Sequence, residues 1–290
     1  MSDFIILTDS SADLDASMAQ RLDVRVLPLG FILEERTYYN YPDNREIAPH
    51  LFYDRLRQGE IATTNAVNVS QYMEALEPLL QEGHDVLVLA FSSGLSTTYN
   101  SSLIAVEELE EKYPDRKLYT VDTLCASLGQ GLLVWYAARE RAKGKSIEEV
   151  RDWVEEHKQN LCHQFTVDDL HFLKRGGRIS ATTAMVGSML QIKPVLHVDG
   201  KGHLVNTGKA RGRQASLKAL VDKMEQTAID PASQTVFISH GDCMEDARTV
   251  ERMVRERFGV KEVYINYVGP VIGAHSGPGT LALFYMGRSR

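Results

Sequence analysis

The chain has 290 residues, which allows one large domain or two ordinary ones. Its 43% hydrophobic and 24% charged residues are typical of a globular protein with a substantial core. The net charge of −7 argues against general nucleic-acid binding, which requires a basic excess. No apolar run approaches the ~20 residues that span a bilayer, and the N-terminus lacks the basic start and long apolar core of a signal peptide.

The three cysteines, Cys125, Cys162 and Cys243, are scattered along the chain and form no CxxC motif. We therefore predict reduced thiols in a cytoplasmic protein and no metal site. The sequence His240-Gly241-Asp242 does not change this prediction, because no second pair of ligands follows it at a suitable spacing.

The N-terminal part of the chain alternates strand patterns with helix patterns. Strands are predicted at residues 4–7, 24–33, 85–91 and 117–121, and helices at residues 49–57, 70–81, 99–112, 126–142 and 146–160. The last helix opens with the capping box Ser146-x-x-Glu149. Residues 34–45 are predicted to form an excursion or hairpin, and residues 62–68 a polar linker. Such alternation predicts a doubly wound parallel sheet, in which ligands bind at the carboxyl ends of the strands.

After His163 the pattern changes to hairpins and glycine-rich segments, which marks a second domain. Residues 195–205 indicate a hairpin with a turn at residues 199–202, and further strands are predicted at residues 234–239, 263–268 and 281–285. A double glycine after residue 175 is typical of a helix C-cap. The apolar segment Ala184–Ile192 is either ordinary core or a wall for a flexible lipid tail.

A hydroxyl-rich turn follows the predicted strand at residues 85–91. Its sequence is Ser92-Ser93-Gly94-Leu95-Ser96-Thr97-Thr98. A strand, such a turn and a helix N-terminus together predict an anion site, because free backbone N–H groups point outward. The alternative is that the serines only cap the helix. The GxxxxGK pattern of a phosphate loop and the GxSxG pattern of a nucleophile elbow are both missing here.

The segment from Gly269 to Thr280 joins two predicted strands. It contains four glycines, two prolines and His275. Because glycine permits close backbone approach and proline fixes φ, we predict a stiff, shaped loop with His275 at its apex. A histidine can donate or accept a hydrogen bond near neutral pH, which suits a group that meets an anion. The alternative is a structural corner with an incidental histidine.

Six motifs in order give the chain a resemblance to a known family. They are LTDSSADL, FSSGLSTTYNSS, LKRGGRIS, IKPVLHVDGKG, GKARGR and GPVIGAHSGPG. Together they resemble the DegV family of bacterial fatty-acid-binding proteins over essentially the whole chain. The resemblance implies an α/β fold with an N-terminal parallel-sheet domain, residues 1–160, and a C-terminal domain with a mixed sheet, residues 161–290. It also implies a fatty acid bound between the two domains.

The resemblance also implies how the ligand is held. Thr64 aligns with the threonine of a Thr-Ser-Gln-Pro-Ser motif, although Asn65, Ala66 and Val67 replace its neighbours, and Thr97 replaces a glycine of the serine turn. By motif, the fatty-acid carboxylate is expected at Thr64, Ser93, Ser96 and His275, with the choice between Ser93 and Ser96 left open. Thr63, Gly94 and Ser276 are further candidates.

The implied ligand is a long-chain fatty acid such as palmitate, stearate or oleate, with no other cofactor. The implied partner is the catalytic subunit of a fatty acid kinase, to which the protein presents the carboxylate, and lipid exchange would involve transient membrane contact. A group of basic residues stands out in an acidic chain and is predicted to dock this kinase; it comprises Arg175, Arg178, Lys209, Arg211 and Arg213. The alternative is a solvated charged face.

Two functions from other classes are weighed against a lipid carrier without catalysis of its own. A serine hydrolase would use Ser93 or Ser96 with His275 and an aspartate such as Asp9, but the nucleophile elbow is missing. A nucleotide-binding enzyme would need a GxGxxG motif or a Walker lysine, and neither is present.

Overall fold

The structure is a computed structural model that describes residues 4–179 and 191–290. The segment Ala184–Ile192, a predicted lipid wall, lies outside the described residues except for its last two positions. The strands are β1 (Phe4–Asp9), β2 (Val24–Leu27), β3 (Gly30–Leu33), β4 (Arg36–Tyr39), β5 (Ala62–Thr64), β6 (Asp85–Ala90), β7 (Leu118–Asp122), β8 (Leu161–Thr166), β9 (Ile192–Val198), β10 (Leu204–Arg211), β11 (Thr235–His240), β12 (Glu262–Tyr267) and β13 (Leu281–Met286).

Helices cover the sheets formed by these strands. They are α1 (Ala16–Arg21), α2 (Pro49–Arg57), α3 (Val69–Gln81), α4 (Thr98–Lys112), α5 (Leu128–Ala142), α6 (Ile147–His157), α7 (Leu170–Arg175), α8 (Arg213–Thr227), α9 (Met244–Phe258) and α10 (Pro270–Ser276). The predicted capping box of α6 is confirmed, because Ser146 and Glu149 exchange side-chain and backbone hydrogen bonds. In the described ranges, no helix is both long enough and apolar enough to cross a membrane.

The N-terminal sheet is parallel, as predicted, with strand order β2-β1-β6-β7. Strand β6 is almost entirely buried, in keeping with its continuous apolar sequence. One face of the sheet packs against α1, α5 and α6, and the other face packs against α2, α3 and α4. Serine turn 92–98 therefore leaves the carboxyl end of a central strand, where ligands of such sheets bind.

A small antiparallel sheet with strand order β4-β3-β5 lies beside the parallel one. Residues 34–39 of the predicted excursion or hairpin belong to a β3–β4 hairpin that starts at Gly30, and the sheet corrects two other predictions. The predicted strand 24–33 is two strands in two sheets, separated at Pro28, whose ring nitrogen has no N–H for a ladder. The predicted polar linker starts with β5, whose pairing with β3 brings Thr64 opposite Phe31.

The C-terminal sheet is mixed, with strand order β10-β9-β8-β13-β11-β12. Only its β11–β12 pair is parallel; the other neighbours are antiparallel. The sheet begins with β8 at Leu161, the first residue of the predicted second domain. The division of the chain into two domains stays a prediction. The hairpin predicted at residues 195–205 is confirmed, but β10 continues to Arg211.

Helix α5 lies between the two large sheets and is buried along most of its length. Two glycines in its first turn allow this close approach. A Cβ on Gly129 would lie 2.1 Å from Nε2 of His163 in β8, and a Cβ on Gly131 would lie 2.6 Å from the carbonyl oxygen of Ala12. Because real Cβ atoms do not come so close, neither position accepts a larger residue without movement.

The predicted stiff loop 269–280 contains a short helix instead, which corrects that prediction. Helix α10 starts with Pro270, whose fixed φ suits the first helical position, and ends at Gly277 with φ +78°. A Cβ on Gly273 would lie 2.5 Å from the hydroxyl oxygen of Tyr53, so α10 packs directly on α2. The glycines and prolines of this segment thus serve helix ends and close packing, and His275 lies in the last turn.

We expect Gly131→Ala to destabilise the fold by about 1–3 kcal/mol, because the added methyl group meets a backbone oxygen that cannot move away alone. Gly208→Ala is the matched control, since its Cβ would meet nothing closer than 3.9 Å. Urea denaturation of both variants measures the difference. Equal stability of the two variants would contradict the close packing of α5.

Candidate functional site

A cavity of about 460 Å³ lies between residues of both halves of the chain. This volume is within the range of about 300–1,000 Å³ that is usual for small-molecule sites. Most of its described wall is apolar and comes from strands and helices of both large sheets and from α10. The apolar wall consists of Leu29, Ala66, Phe91, Leu95, Ala126, Phe165, Leu173, Val198, Leu204, Val268, Val271, Ile272, Ala282 and Phe284.

Thr64 and His275 meet at the cavity wall. The hydroxyl oxygen of Thr64 lies 2.8 Å from Nε2 of His275, so the end of β5 is joined to α10 across 211 residues. The imidazole also lies against the end of α7, where a Cβ on Gly176 would be 2.1 Å from Nδ1. The predicted helix C-cap at residues 176–177 therefore has a second role, because its first glycine makes room for His275.

His275 is neutral at physiological pH in this structure. Burial and the nearby guanidinium groups of Arg178 and Arg175 together lower the pKa of His275 to about 4. A neutral imidazole has one donor and one acceptor nitrogen. When Nε2–H donates to Thr64, the hydroxyl hydrogen of Thr64 remains free to be donated into the cavity. The pair is therefore a source of uncharged hydrogen-bond donors.

Ser96 presents a second hydroxyl to the cavity. Its Oγ accepts a hydrogen bond from the backbone N–H of Thr98 at 3.2 Å and lies 2.9 Å from the Thr98 hydroxyl oxygen. That hydroxyl oxygen in turn accepts from the N–H of Val67 at 3.3 Å, which ties the serine turn to the segment after β5. When the Thr98 hydroxyl also donates to Ser96, the Ser96 hydrogen is available for a ligand.

Four backbone N–H groups of the turn do not point outward as the predicted anion site requires. The amides of Leu95 and Ser96 donate to the carbonyl oxygen of Ser92 at 3.0 and 3.1 Å, and the Gly94 amide donates to the Ser92 hydroxyl at 3.2 Å. The Ser93 amide donates to Asp122 at 3.1 Å. The prediction of outward amides is wrong at these four positions, because three amides fold back on Ser92 and the Ser93 amide bonds to Asp122. The hydroxyl groups of the turn are donors in addition to its backbone.

The other residues that were predicted to bind the fatty-acid carboxylate differ in their placement. Ser93 borders the cavity but is exposed, whereas Ser96 is half-buried. Thr63 is exposed and lies outside the described lining. Gly94 packs on the turn of the β9–β10 hairpin, where its Cβ would be 2.7 Å from the carbonyl oxygen of Lys201. Ser276 is buried in the cavity wall, and its hydroxyl has no hydrogen-bond partner within the described residues.

Two of the five predicted docking residues are not exposed as expected. Arg178 is half-buried in the cavity wall, where it donates to the carbonyl oxygen of Leu95 at 3.2 Å and to that of Gly176. Arg213 is only 19% exposed because it forms ion pairs with Asp246 at 2.9 Å and Asp168 at 3.5 Å. Both side chains stabilise the fold locally.

The remaining three basic residues are exposed. Arg175, at the end of α7, lies over the ring of Phe172 at 4.8 Å and is near enough to His275 to lower its pKa. Lys209 and Arg211 lie on the outward side of β10. Because β10 is an edge strand of the mixed sheet, its charges also prevent pairing with other sheet edges.

Comparison with known proteins identifies the family. Residues 3–288 match the sequence model described as "Uncharacterised protein, DegV family". A DegV domain-containing protein of Clostridium perfringens is 51% identical over 290 residues, covering 100% of this chain and 99% of the relative. The chain belongs to the DegV family.

Two solved structures agree with this assignment. A DegV lipid binding protein from Thermotoga maritima has a TM-score of 0.88 at 30% identity, with 100% of both chains covered. A DegV family protein from Thermus thermophilus, described for its fatty acid binding, has a TM-score of 0.86 at 30% identity, with 98% of this chain and 99% of that chain covered. The predicted fold class is confirmed.

Sequence reasoning missed part of the DegV cavity. Asn65 and Asn100 contribute amide groups to the wall, and Ser127 and Ser239 contribute buried hydroxyls. Asn65 follows Thr64 directly, and Asn100 belongs to the motif FSSGLSTTYNSS. Their position next to predicted site residues could therefore have identified them as cavity residues. Ser127 and Ser239 lie at ordinary positions before a helix and within a strand, and their sequences carry no such signal.

The buried state of His275 can be measured by an NMR titration of the histidine rings, with His275→Asn used for assignment. We expect a pKa of about 4 for His275 and no protonation between pH 6 and 8. Because the unfolded chain takes up this proton near pH 6.5, stability should fall as the pH decreases from about 6.5 to 4.

Arg178→Gln should raise the pKa of His275, because it removes the positive charge that has the larger effect on this imidazole. Arg175→Gln should raise the pKa of His275 less. A pKa of His275 near 6.5 in the unaltered protein would contradict the burial of its imidazole.

Proposed function

We propose that this DegV protein binds a long-chain fatty acid in the cavity, with the carboxylate at Thr64, Ser96 and His275. The observation that carries the proposal is a mainly apolar cavity wall that also holds a cluster of uncharged hydrogen-bond donors. The lipid binding and fatty acid binding described for the Thermotoga and Thermus relatives support it. The residues that line the cavity come from both predicted domains, so the ligand would lie between them.

Energetics favours a site of this composition. Burial of one CH₂ group contributes about 0.8 kcal/mol, so sixteen carbons provide on the order of 12 kcal/mol before ordering costs. The acyl chain would therefore supply most of the affinity, and the head-group residues need only orient the carboxylate. A charged carboxylate that leaves water must still receive hydrogen bonds, and the hydroxyls of Thr64 and Ser96 can donate them.

Arg178 would contribute positive potential near the carboxylate. Its hydrogen bonds to the carbonyl oxygens of Leu95 and Gly176 occupy two of its nitrogen atoms, Nε and one terminal nitrogen. A side-on bidentate contact through Nε would require the bond to Leu95 to rearrange, whereas the terminal nitrogens keep further N–H groups. A carboxylate held mainly by hydroxyl groups keeps an oxygen that can react with a phosphoryl group.

We further propose that a separate fatty acid kinase receives the bound carboxylate from this protein, as the family resemblance implies. Arg175 is the basic residue best placed to meet that partner, because it is exposed and lies close to His275. Lys209 and Arg211 add exposed positive charge on β10. Such charges steer an acidic partner surface and mainly accelerate association.

The geometry does not assemble the residues of the rival serine hydrolase. Asp9 is buried, and its carboxylate accepts from the Phe91 amide at 2.8 Å, from Ser11 and from Gln130 at 3.2 Å. Nε2 of His275 meets Thr64 rather than a serine. The described residues thus place the base beside a threonine and the aspartate in a separate polar cluster, which favours the carrier over the hydrolase.

Purified protein should release a long-chain fatty acid on denaturing extraction, and delipidated protein should bind palmitate, stearate or oleate. Thr64→Val should weaken binding roughly 10- to 150-fold, because one hydrogen bond to a charged group is lost. Thr63→Val is the matched control: this neighbour is exposed on the other side of β5 and should bind like the unaltered protein. Fluorescence displacement or calorimetry at limiting ligand measures the affinities of the unaltered protein and of the two variants.

The absence of any acyl species after extraction, together with no binding of added fatty acid, would refute the carrier function. Equal affinity of the Thr64→Val and Thr63→Val variants would refute the head-group assignment alone. Ester hydrolysis that is abolished by Ser96→Ala or Ser93→Ala would favour the hydrolase instead.

Charge reversal separates lipid binding from partner binding. Arg175→Glu should weaken the kinase complex without changing fatty-acid affinity, and the effect should be larger at low salt because exposed charges are screened. Lys209→Glu with Arg211→Glu should act in the same direction. Arg252→Glu, an exposed position on α9, is the control. Fatty-acid affinity that falls as much as partner affinity would assign these residues to the cavity.

A further inference from the structure

A second polar group of side chains lies in the cavity wall, apart from the carboxylate residues. Ser127 at the start of α5 and Ser239 in β11 both line the cavity, and their hydroxyl oxygens are 2.9 Å apart. Ser127 also donates to a carboxylate oxygen of Asp13 at 2.5 Å. All three residues are at least nine-tenths buried. No hydrogen bond within the described residues joins them to Thr64, Ser96 or His275.

This group has unused hydrogen-bonding capacity. A hydroxyl has one hydrogen and two lone pairs, but Ser239 makes a single side-chain hydrogen bond, the one to Ser127, within the described part of the chain. Ser276 lies in the same wall, is 4% exposed, and its hydroxyl has no partner among the described residues. A plain alkyl chain would cover these groups and leave them unpaired, which is unfavourable for buried hydroxyls.

The chemistry of this wall selects the kind of group that it can hold. Asp13 lies behind the serine pair, and burial raises the pKa of its carboxyl to about 8. Asp13 is therefore largely protonated near pH 7, so the wall offers no opposite charge to a charged ligand group. A neutral hydroxyl matches well, because it can donate a hydrogen bond to Ser239, whose own hydrogen is donated to Ser127.

We infer that the serine pair Ser127 and Ser239 binds a hydroxyl group carried part-way along an acyl chain. The ligand class of the cavity would then include hydroxylated long-chain fatty acids as well as plain ones. This inference rests on the proposed function, because it assumes that an acyl chain occupies the cavity with its carboxylate at Thr64, Ser96 and His275.

The strained backbone conformation of Ser127 supports a functional role for the hydrogen-bonded pair of Ser127 and Ser239. Ser127 has φ +54° and ψ −149°, a conformation that residues other than glycine rarely adopt, and its side chain does not cap α5. The residue therefore holds its hydroxyl toward Asp13 and Ser239 rather than toward the helix amides, where a serine at this position is usually found.

The test compares the affinity of delipidated protein for stearate and for the positional isomers of monohydroxystearate. We expect at least one isomer to bind as tightly as stearate, although its hydroxyl must leave water. Ser239→Ala should weaken that isomer roughly 3- to 10-fold and leave stearate affinity unchanged or increased. Ser102→Ala is the control, since this buried serine bonds to Tyr99 and Thr120 and lies outside the described cavity lining.

The outcomes separate this inference from the proposed function. Stearate binding combined with at least 10-fold weaker binding of every hydroxylated isomer, unaffected by Ser239→Ala, would overturn the inference alone. Failure of all ligands to bind would overturn the carrier function as well.

Discussion

The hydrogen bond between Thr64 and His275 is the contact on which the site depends. It joins a strand of the small N-terminal sheet to a short helix that leaves the mixed sheet, at 2.8 Å. The contact is possible because Gly176 leaves room for the imidazole and because β5 pairs with β3. Burial at this junction keeps His275 neutral, so the site offers hydrogen-bond donors without a fixed charge on the ring.

Uncharged donors suit a ligand whose affinity comes from its apolar part. The cavity wall is mainly aliphatic and aromatic, so the head group contributes orientation more than binding energy. Arg178 lies beside these donors with its side chain bonded to carbonyl oxygens of the protein. It would thus influence the carboxylate through its charge, and Arg175 at the surface would extend the same positive potential toward a partner.

The sequence by itself determined the large features of this protein. Alternating apolar strands and helices predicted the parallel sheet, and the capping box at Ser146 placed the start of α6 correctly. These features follow from local patterns, because side-chain periodicity and cap chemistry act over a few residues. The ordered motifs predicted the family, which the comparisons confirm, and they named Thr64, Ser96 and His275, which the fold places along one cavity.

Only the tertiary structure decided which side chains are free to act. Ser92 was an ordinary turn residue in the sequence, yet it accepts the bonds of the amides that were expected to bind an anion. Arg178 and Arg213 had the same pattern as exposed basic residues, but carbonyl oxygens and carboxylates distant in the chain hold them. Burial and pairing depend on contacts between distant segments, and a local sequence pattern contains no information about those contacts.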